Sequence, residues 1–196
     1  ATQKFLVIDR QHDDAWIGGP ATTSPVQWIS EKSVVFLTEK SGFSQICMLD
    51  VTTCKKQDLT SGNFEIRKLV VPNDKDYLYF LSNSDHPGAV NWCRIKLSSP
   101  GTIEKVTTMK GGYEVEMSPD QKWIAFRFST SNHPWELFVQ ENKPGKKPMQ
   151  ITRKAMSPEF AAYPWREPSV VQFPASDGAS VYARLYSPEK RNGAAV

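Results

Sequence analysis

The sequence predicts an all-β fold, a partial β-propeller of about three four-stranded antiparallel blades followed by a β-hairpin that begins a second domain. Three observations predict it. A set of strands recurs about every 45 residues, β-branched and aromatic residues dominate those strands, and Gly, Pro, Asn and Asp mark the breaks. No segment keeps an apolar 3.6-residue period over three turns, so helices are not favoured.

The repeat is marked by Phe36, Phe80 and Phe126, which lie 44 and 46 residues apart in second strands that are apolar on both faces. Each second strand follows a first strand and a polar turn, and precedes a loop, a third strand and a polar fourth strand. The first strands are predicted at Pro25–Ile29, Arg67–Val71 and Tyr113–Met117, the loops at Glu39–Ser44, Asn83–Ala89 and Thr130–Pro134, the third strands at Gln45–Val51, Asn91–Leu97 and Trp135–Glu141, and the fourth at Lys56–Thr60, Glu104–Met109 and Pro148–Arg153. Strands that are apolar on both faces are expected between neighbouring blades, and polar ones at an exposed edge.

The predicted units divide the chain into a remnant of a preceding blade and loop (1–24, with a strand at Lys4–Asp9), blades at 25–64, 65–112 and 113–154, a linker at 155–168 and a hairpin at 169–196. In the linker, three prolines surround Tyr163 and Trp165, which predicts a semi-rigid segment whose aromatic rings pack on a neighbour. The hairpin strands Val170–Phe173 and Val181–Tyr186 flank the turn sequence Ser176-Asp177-Gly178. Because about four to eight blades close a propeller, we expect further blades and both ends of this chain to be cut.

Composition and motifs exclude several functional classes. With 24 basic and 21 acidic residues the formal charge is +3, which gives no reason to expect a nucleic-acid partner, and no apolar stretch reaches the about 18 residues of a membrane span. The sequence contains no Gly-x-Ser-x-Gly and no Gly-rich phosphate loop, so we expect no catalytic residue and no cofactor. The histidines His12, His86 and His133 lie in predicted loops, and a surface position is favoured over a metal or catalytic role, also for His12-Asp13-Asp14.

The cysteines leave two possibilities open. Cys47 lies in a third strand and Cys54 follows seven residues later, past a turn, so a hairpin could bring them within disulfide distance. Two free thiols are equally compatible with the sequence, and Cys93 has no evident partner. A bridge between Cys47 and Cys54 would indicate an oxidising compartment, which means a periplasmic or extracellular location.

Several segments resemble the dipeptidyl peptidase IV-like members of the prolyl oligopeptidase family of serine peptidases. The similarity is carried by the blade segments Glu39–Cys47 and Asp76–Asn83 and by Ser118-Pro119-Asp120 before Trp123. It continues in Val171-x-Phe173, Asp177-Gly178 and Val181–Tyr186 before Pro188, which resemble the junction between the family's propeller and its α/β-hydrolase domain. In the family a cysteine pair occupies the hairpin that corresponds to Cys47 and Cys54, with a different spacing.

The resemblance implies a Ser-Asp-His exopeptidase that releases dipeptides from peptide N-termini, often after proline, with the propeller controlling substrate access. The peptide substrate would be bound with the hydrolase domain, which these residues do not include, and a homo-oligomer is possible. The family's paired glutamates have no counterpart, because no Glu-Glu occurs in the chain. A stand-alone periplasmic binding propeller without enzymatic activity is the alternative.

Overall fold

The computed structural model describes residues 7–14 and 24–188, and these residues form three four-stranded sheets, one two-stranded sheet and one short helix. All strand pairs are antiparallel, and within each sheet the strands follow one another in chain order. This arrangement is a partial β-propeller, as the repeat predicts. The described helix is five residues long, and no helix among the described residues is long and apolar enough to cross a membrane.

The elements follow in chain order. The first sheet contains β1 (Gln27–Trp28), β2 (Ser33–Thr38), β3 (Gln45–Asp50) and β4 (Lys56–Asp58). The second contains β5 (Ile66–Val70), β6 (Tyr77–His86), β7 (Ala89–Lys96) and β8 (Ile103–Lys105). The third contains β9 (Gly112–Met117), β10 (Trp123–Ser129), β11 (Glu136–Glu141) and β12 (Met149–Gln150), and it is followed by α1 (Pro158–Ala162) and the hairpin of β13 (Ser169–Pro174) and β14 (Ser180–Leu185).

The three repeated phenylalanines show how the sheets are stacked. Phe80 belongs to the apolar cluster between the first and second sheets, and Phe126 belongs to the cluster between the second and third. Each therefore faces the preceding sheet. Phe36 lies on the face of the first sheet that is turned away from the second sheet. It clusters there with Val34, Cys47 and Leu49. In every repeat, the sheet face that carries the phenylalanine is turned toward the preceding blade position. Blades of a propeller are stacked in this way.

The second sheet is buried on both faces. Along β6, Leu78 and Phe80 pack toward the first sheet, while Tyr79 and Leu81 pack toward the third. Trp92 of β7, which is 0% exposed, lies in the second of these interfaces. Strand residues alternate between the two faces of a sheet, so a strand with neighbours on both sides must be apolar at successive positions.

The amide side chains of half-buried Gln27 and buried Asn142 join neighbouring sheets. The Gln27 amide donates to the Leu69 carbonyl at 2.9 Å and accepts from Val71 N at 3.3 Å, so it extends β1 across to β5. Between the second and third sheets, Trp92 Nε1 donates to Asn142 Oδ1 at 3.2 Å. These bonds satisfy polar groups that burial would otherwise leave unpaired, and they fix the sheets relative to one another.

The third sheet is exposed on the side away from the second. Along β10, Ile124 and Phe126 are buried against the second sheet, whereas Trp123, Ala125 and Arg127 are exposed. Trp123 is 47% exposed and Met149 of β12 is 60% exposed. This strand thus differs from β2 and β6, whose apolar residues are buried on both faces, because no described residue covers its outer face.

Three local features differ from the sequence-based expectations. Strand β6 continues to His86, through most of the predicted loop Asn83–Ala89. The predicted linker contains α1, which begins with the Ser157 hydroxyl accepting from Phe160 N at 3.1 Å and with Pro158 in its first turn. Its aromatic residues pack on one another, since the Trp165 ring lies 4.7 Å from those of both Phe160 and Tyr163.

The strand core of each predicted blade coincides with one described sheet, and the fourth strands β4, β8 and β12 are short and largely exposed. The division into domains stays a prediction. Most of the segment 1–24, part of the expected strand Lys4–Asp9, and residues 189–196 lie outside the described residues. Within the described segment 7–14, Asp9 pairs with Lys56, and Gln11 Oε1 accepts from Glu39 N at 2.9 Å, so this segment lies beside the first sheet.

Candidate functional site

A cleft in the described structure lies between the ends of the second and third sheets and the β13–β14 hairpin. Its volume is ≈ 1090 Å³, which is just above the range of about 300–1,000 Å³ for small-molecule sites. The lining comes from four places: the β6–β7 turn, the segment from β8 to the start of β9, the β10–β11 connection, and the linker with β14. Residues more than 80 positions apart in the chain thus share one surface.

The topology explains why these segments meet. The β6–β7 and β10–β11 connections each join the second strand of a sheet to the third, so they lie at the same end of adjacent sheets. The chain also leaves the third sheet at this end, because Ile151, just after β12, donates its N–H to the carbonyl of Leu137 at the start of β11. The linker and the hairpin are therefore brought to the open ends of the second and third sheets.

A glycine allows the floor of the cleft to form. A Cβ on Gly111 would lie 2.3 Å from the carbonyl oxygen of Ser129 and 2.6 Å from the Phe128 ring. Side-chain atoms do not approach so closely, so only glycine lets the entry to β9 pass this near to the end of β10.

The hairpin wall is held by an aromatic contact. The rings of His86, at the end of β6, and Tyr182, in β14, meet edge to face with centroids 4.8 Å apart. His86 Nδ1 also accepts the N–H of Gly88 at 3.0 Å, which orients the imidazole within its turn. In addition, Arg166 of the linker donates to the carbonyl of Ser187 at 2.9 Å, which joins the two ends of the hairpin segment.

The linker itself is fixed by Glu136, a buried residue at the start of β11. Its carboxylate accepts from the Thr152 hydroxyl and, at 2.8 Å, from Ala155 N. These two hydrogen bonds lower the pKa of Glu136 below its ordinary value, with the Thr152 bond as the larger cause. The direction in which the chain leaves the third sheet is thus set by a carboxylate that stays ionised.

Positively charged side chains outnumber negatively charged ones in the lining of the cleft. Lys105 and Asp85 pair with each other at 2.7 Å. The remaining charged residues of the lining are Lys110, Arg184 and Glu167, and among the described residues none of the three forms an ion pair or a side-chain hydrogen bond. Two cations and one carboxylate therefore remain available to a ligand.

The described residues provide little for bond-breaking chemistry. Burial, followed by the nearby Asp58 carboxylate, raises the pKa of the Cys47 thiol to about 11, and burial raises that of Cys93 to about 12. Both thiols are protonated at neutral pH and are therefore poor nucleophiles. No group of three or more His, Cys, Asp or Glu side chains with metal-binding geometry occurs in residues 7–14 and 24–188.

The structure places Cys47 and Cys54 in the same hairpin but not opposite each other. Cys47 of β3 pairs with Asp58 of β4, whereas Cys54 lies in the turn before β4 with a φ of 56° and is exposed. Both are free thiols, as is Cys93. The expectation that the hairpin brings them opposite each other is wrong in register, since Cys54 lies within the connection 51–55 and Asp58 takes the position opposite Cys47. The disulfide stays a prediction.

The histidines are not brought together as a set. His12 contacts Asp14 at 3.1 Å in an exposed segment, whereas His86 and His133 both line the cleft. Sequence reasoning missed Lys110, Tyr182 and Arg184 as cleft residues, because no local motif marks them. The recurrence of the second-to-third-strand connection could have placed the loops with His86 and His133 side by side, but it marks neither the segment before β9 nor β14.

Comparison with protein families agrees with this architecture. Residues 1–135 match the family model described as the dipeptidyl peptidase IV (DPP IV) N-terminal region. The match spans the first two sheets and the strands β9 and β10 of the third. The chain belongs to this family, and the strands within residues 1–135 are part of the DPP IV-like propeller region.

Proposed function

We propose that the chain is the non-catalytic propeller portion of a serine exopeptidase that releases dipeptides from peptide N-termini, often after proline. The observation that carries the proposal is the match of residues 1–135 to the DPP IV N-terminal region, together with a hairpin that follows the third sheet. The propeller scaffolds the hydrolase domain and controls the access of peptides to it. The bond-breaking residues belong to that other domain, because Gly-x-Ser-x-Gly occurs nowhere in the chain.

The cleft supports a role at the junction of two domains. Its walls come both from propeller sheets and from the β13–β14 hairpin, whose residues Phe173, Val181 and Leu185 remain exposed. Exposed apolar residues on a small hairpin favour packing against a further domain, because a two-stranded sheet has too small a core to be stable alone. We place the protein in the periplasm or outside the cell, where a bridge between Cys47 and Cys54 could persist.

The experiment compares two chains with an alanyl-prolyl chromogenic substrate. The 196-residue chain should show no turnover, and a longer chain from the same gene that contains a Gly-x-Ser-x-Gly segment should release the chromophore and lose activity after treatment with a serine-reactive phosphonate. Sustained turnover by the 196-residue chain after repurification would contradict the non-catalytic role. An inactive longer chain would contradict the exopeptidase assignment.

A further inference from the structure

We propose that the cleft between the second sheet, the third sheet and the β13–β14 hairpin binds a short peptide through a carboxylate group, with Lys110 and Arg184 as the cations that hold it. The proposal goes beyond scaffolding and access control. It assigns to the propeller its own ligand-binding site, and it requires no catalytic step.

The charge of the cleft favours an anionic ligand. Lys105 is neutralised by Asp85, and Lys110 and Arg184 are opposed only by Glu167, so the lining carries an excess of positive charge. Arginine can bind a carboxylate through two parallel hydrogen bonds, and lysine adds a further charged donor. A single carboxylate satisfies this arrangement. A polyphosphate does not, because the lining has an excess of only one positive charge and would leave the additional charges of a polyphosphate uncompensated.

The uncharged part of the lining selects a peptide over a small anion. Hydroxyl and amide side chains come from Asn91, Ser129 and Thr130, and apolar contacts come from Val170 and the Tyr182 ring. A volume of ≈ 1090 Å³ greatly exceeds what an inorganic anion needs. A peptide chain presents amide groups and apolar side chains next to its terminal carboxylate, and it can therefore use all three kinds of lining.

The walls of the site are joined by contacts within the chain. His86 and Tyr182 hold β14 against the second sheet, and the Glu136 carboxylate fixes the start of the linker that carries Glu167. Gly111 and the end of β10 form a floor that is fixed by close backbone approach. These contacts are made by the chain itself, so they hold the walls of the cleft near one another.

The test measures binding to the 196-residue chain by isothermal titration calorimetry. The probes are acetyl-tetra-alanine with a free C-terminal carboxylate and the same peptide with a C-terminal amide. We expect the acid to bind at least about tenfold more tightly than the amide, because the amide loses the charge-assisted hydrogen bonds. Raising the salt concentration should weaken binding of the acid and leave binding of the amide nearly unchanged.

Variants locate the interaction. Lys110→Ala and Arg184→Ala should each reduce the affinity for the acid toward that for the amide. Lys147→Ala, which removes an exposed lysine from the β11–β12 connection outside the cleft, should leave it unchanged. As a second measurement on the unsubstituted chain, the acid should shift the NMR amide signals of 129–133 and of β14, so the result does not depend on the folding of any variant.

Three results would overturn the proposal: equal affinity for acid and amide, unshifted signals around the cleft, or inorganic phosphate binding as tightly as the peptide acid. The last result would indicate a site for small anions. None of these measurements involves turnover, so the binding site and the exopeptidase assignment can fail independently of each other.

Discussion

The buried thiols Cys47 and Cys93 should be almost unreactive in the folded chain. Their pKa values of about 11 and about 12 leave very little thiolate at pH 8, whereas Cys54 is exposed in a turn. With a disulfide reagent at pH 8, we expect one thiol to react rapidly in the reduced folded chain and all three to react in denaturant. Rapid reaction of two or more thiols in the folded state would contradict this burial.

The same titration decides whether Cys47 and Cys54 form a bridge. After oxidative refolding, a bridge would leave Cys93 as the one thiol that reacts in denaturant, and reduction would restore the other two. Formation of the bridge requires movement of the β3–β4 turn, since Cys47 now lies opposite Asp58. Three reactive thiols after oxidation would rule it out and remove the argument for an oxidising compartment.

The Trp92–Asn142 hydrogen bond should contribute measurably to stability. Asn142 is 2% exposed, and it also donates to the Gln121 carbonyl at 3.1 Å. Asn142→Ala leaves the buried indole N–H without an acceptor, and we expect the free energy of unfolding in urea to fall by about 2 kcal/mol. Asn73→Ala, in an exposed turn, is the matched control and should change it by less than about 0.5 kcal/mol.

A double-mutant cycle isolates this bond from the other effects of Asn142→Ala. Trp92→Phe removes the donor, so Asn142→Ala should cost about 1 kcal/mol less in that background than in the unsubstituted chain. Strict additivity of the two substitutions would mean that the indole N–H contributes nothing across the interface between the second and third sheets.

At the scale of elements, Glu136 should control how firmly the linker is attached to the third sheet. Glu136→Ala removes the acceptor for Thr152 and Ala155, so the segment with Arg153 and Lys154 should become more mobile. We expect trypsin at pH 8 to cut after these residues several-fold faster, as measured by mass spectrometry. Glu141→Ala removes a half-buried carboxylate of the same strand that pairs with Lys146, and it is the control. An equal rate in both variants would contradict the role of Glu136.

The hydrogen bonds of the Glu136 carboxylate to Thr152 and Ala155 should depend on pH, in the direction given by the pKa shift. The pKa of Glu136 is lowered in the folded chain, so its contribution to stability is present above the ordinary glutamate pKa. That contribution is lost as the pH falls through the lowered folded value. The amide exchange protection of Ala155, followed by NMR, should therefore decrease on acidification through this range, and Glu136→Gln should show no such step.

The strands could be predicted from the sequence because each apolar pattern is local. The phenylalanine repeat located β2, β6 and β10, and the polar fourth strands β4, β8 and β12 follow from the edge pattern. The extension of β6 to His86 could not be predicted in this way, since polar residues such as Asn83 and Asp85 are typical of loops. They lie within the strand because β7 pairs with it again at His86–Ala89, past a register shift after Ser82.

The cleft could not be predicted from local patterns. Its charged residues Lys105, Lys110 and Arg184 come from a strand, a connection and the hairpin, and their meeting depends on which ends of the sheets coincide. The helix α1 was missed for a different reason. Three prolines indicated a linker, but Ser157 and Pro158 together also provide the start of a helix.

For the whole molecule, the exposed outer face of the third sheet should cause self-association. Trp123 and Met149 are exposed on this side, and Ala125 lies between them in the middle of β10. An apolar sheet face in contact with water favours pairing with another surface. We expect the 196-residue chain to show a mass in light scattering that rises with concentration.

A charge placed on this face should suppress the association. Ala125→Lys puts an ammonium group at the centre of the exposed face and should lower the average mass toward that of the monomer. Ser98→Lys adds the same charge in an exposed turn of the second sheet and should leave the association unchanged. If the unsubstituted chain is monomeric at all concentrations, this face does not cause self-association.

The middle sheet, with both faces covered, also determines how the chain can unfold. Each sheet pairs only strands that are close in sequence, so every sheet can form soon after its own residues are available. The second sheet, however, gains the stabilisation of its two apolar faces only when both neighbours are in place. Its amides should therefore exchange last, through global opening, while the outer sheets can separate from it one at a time.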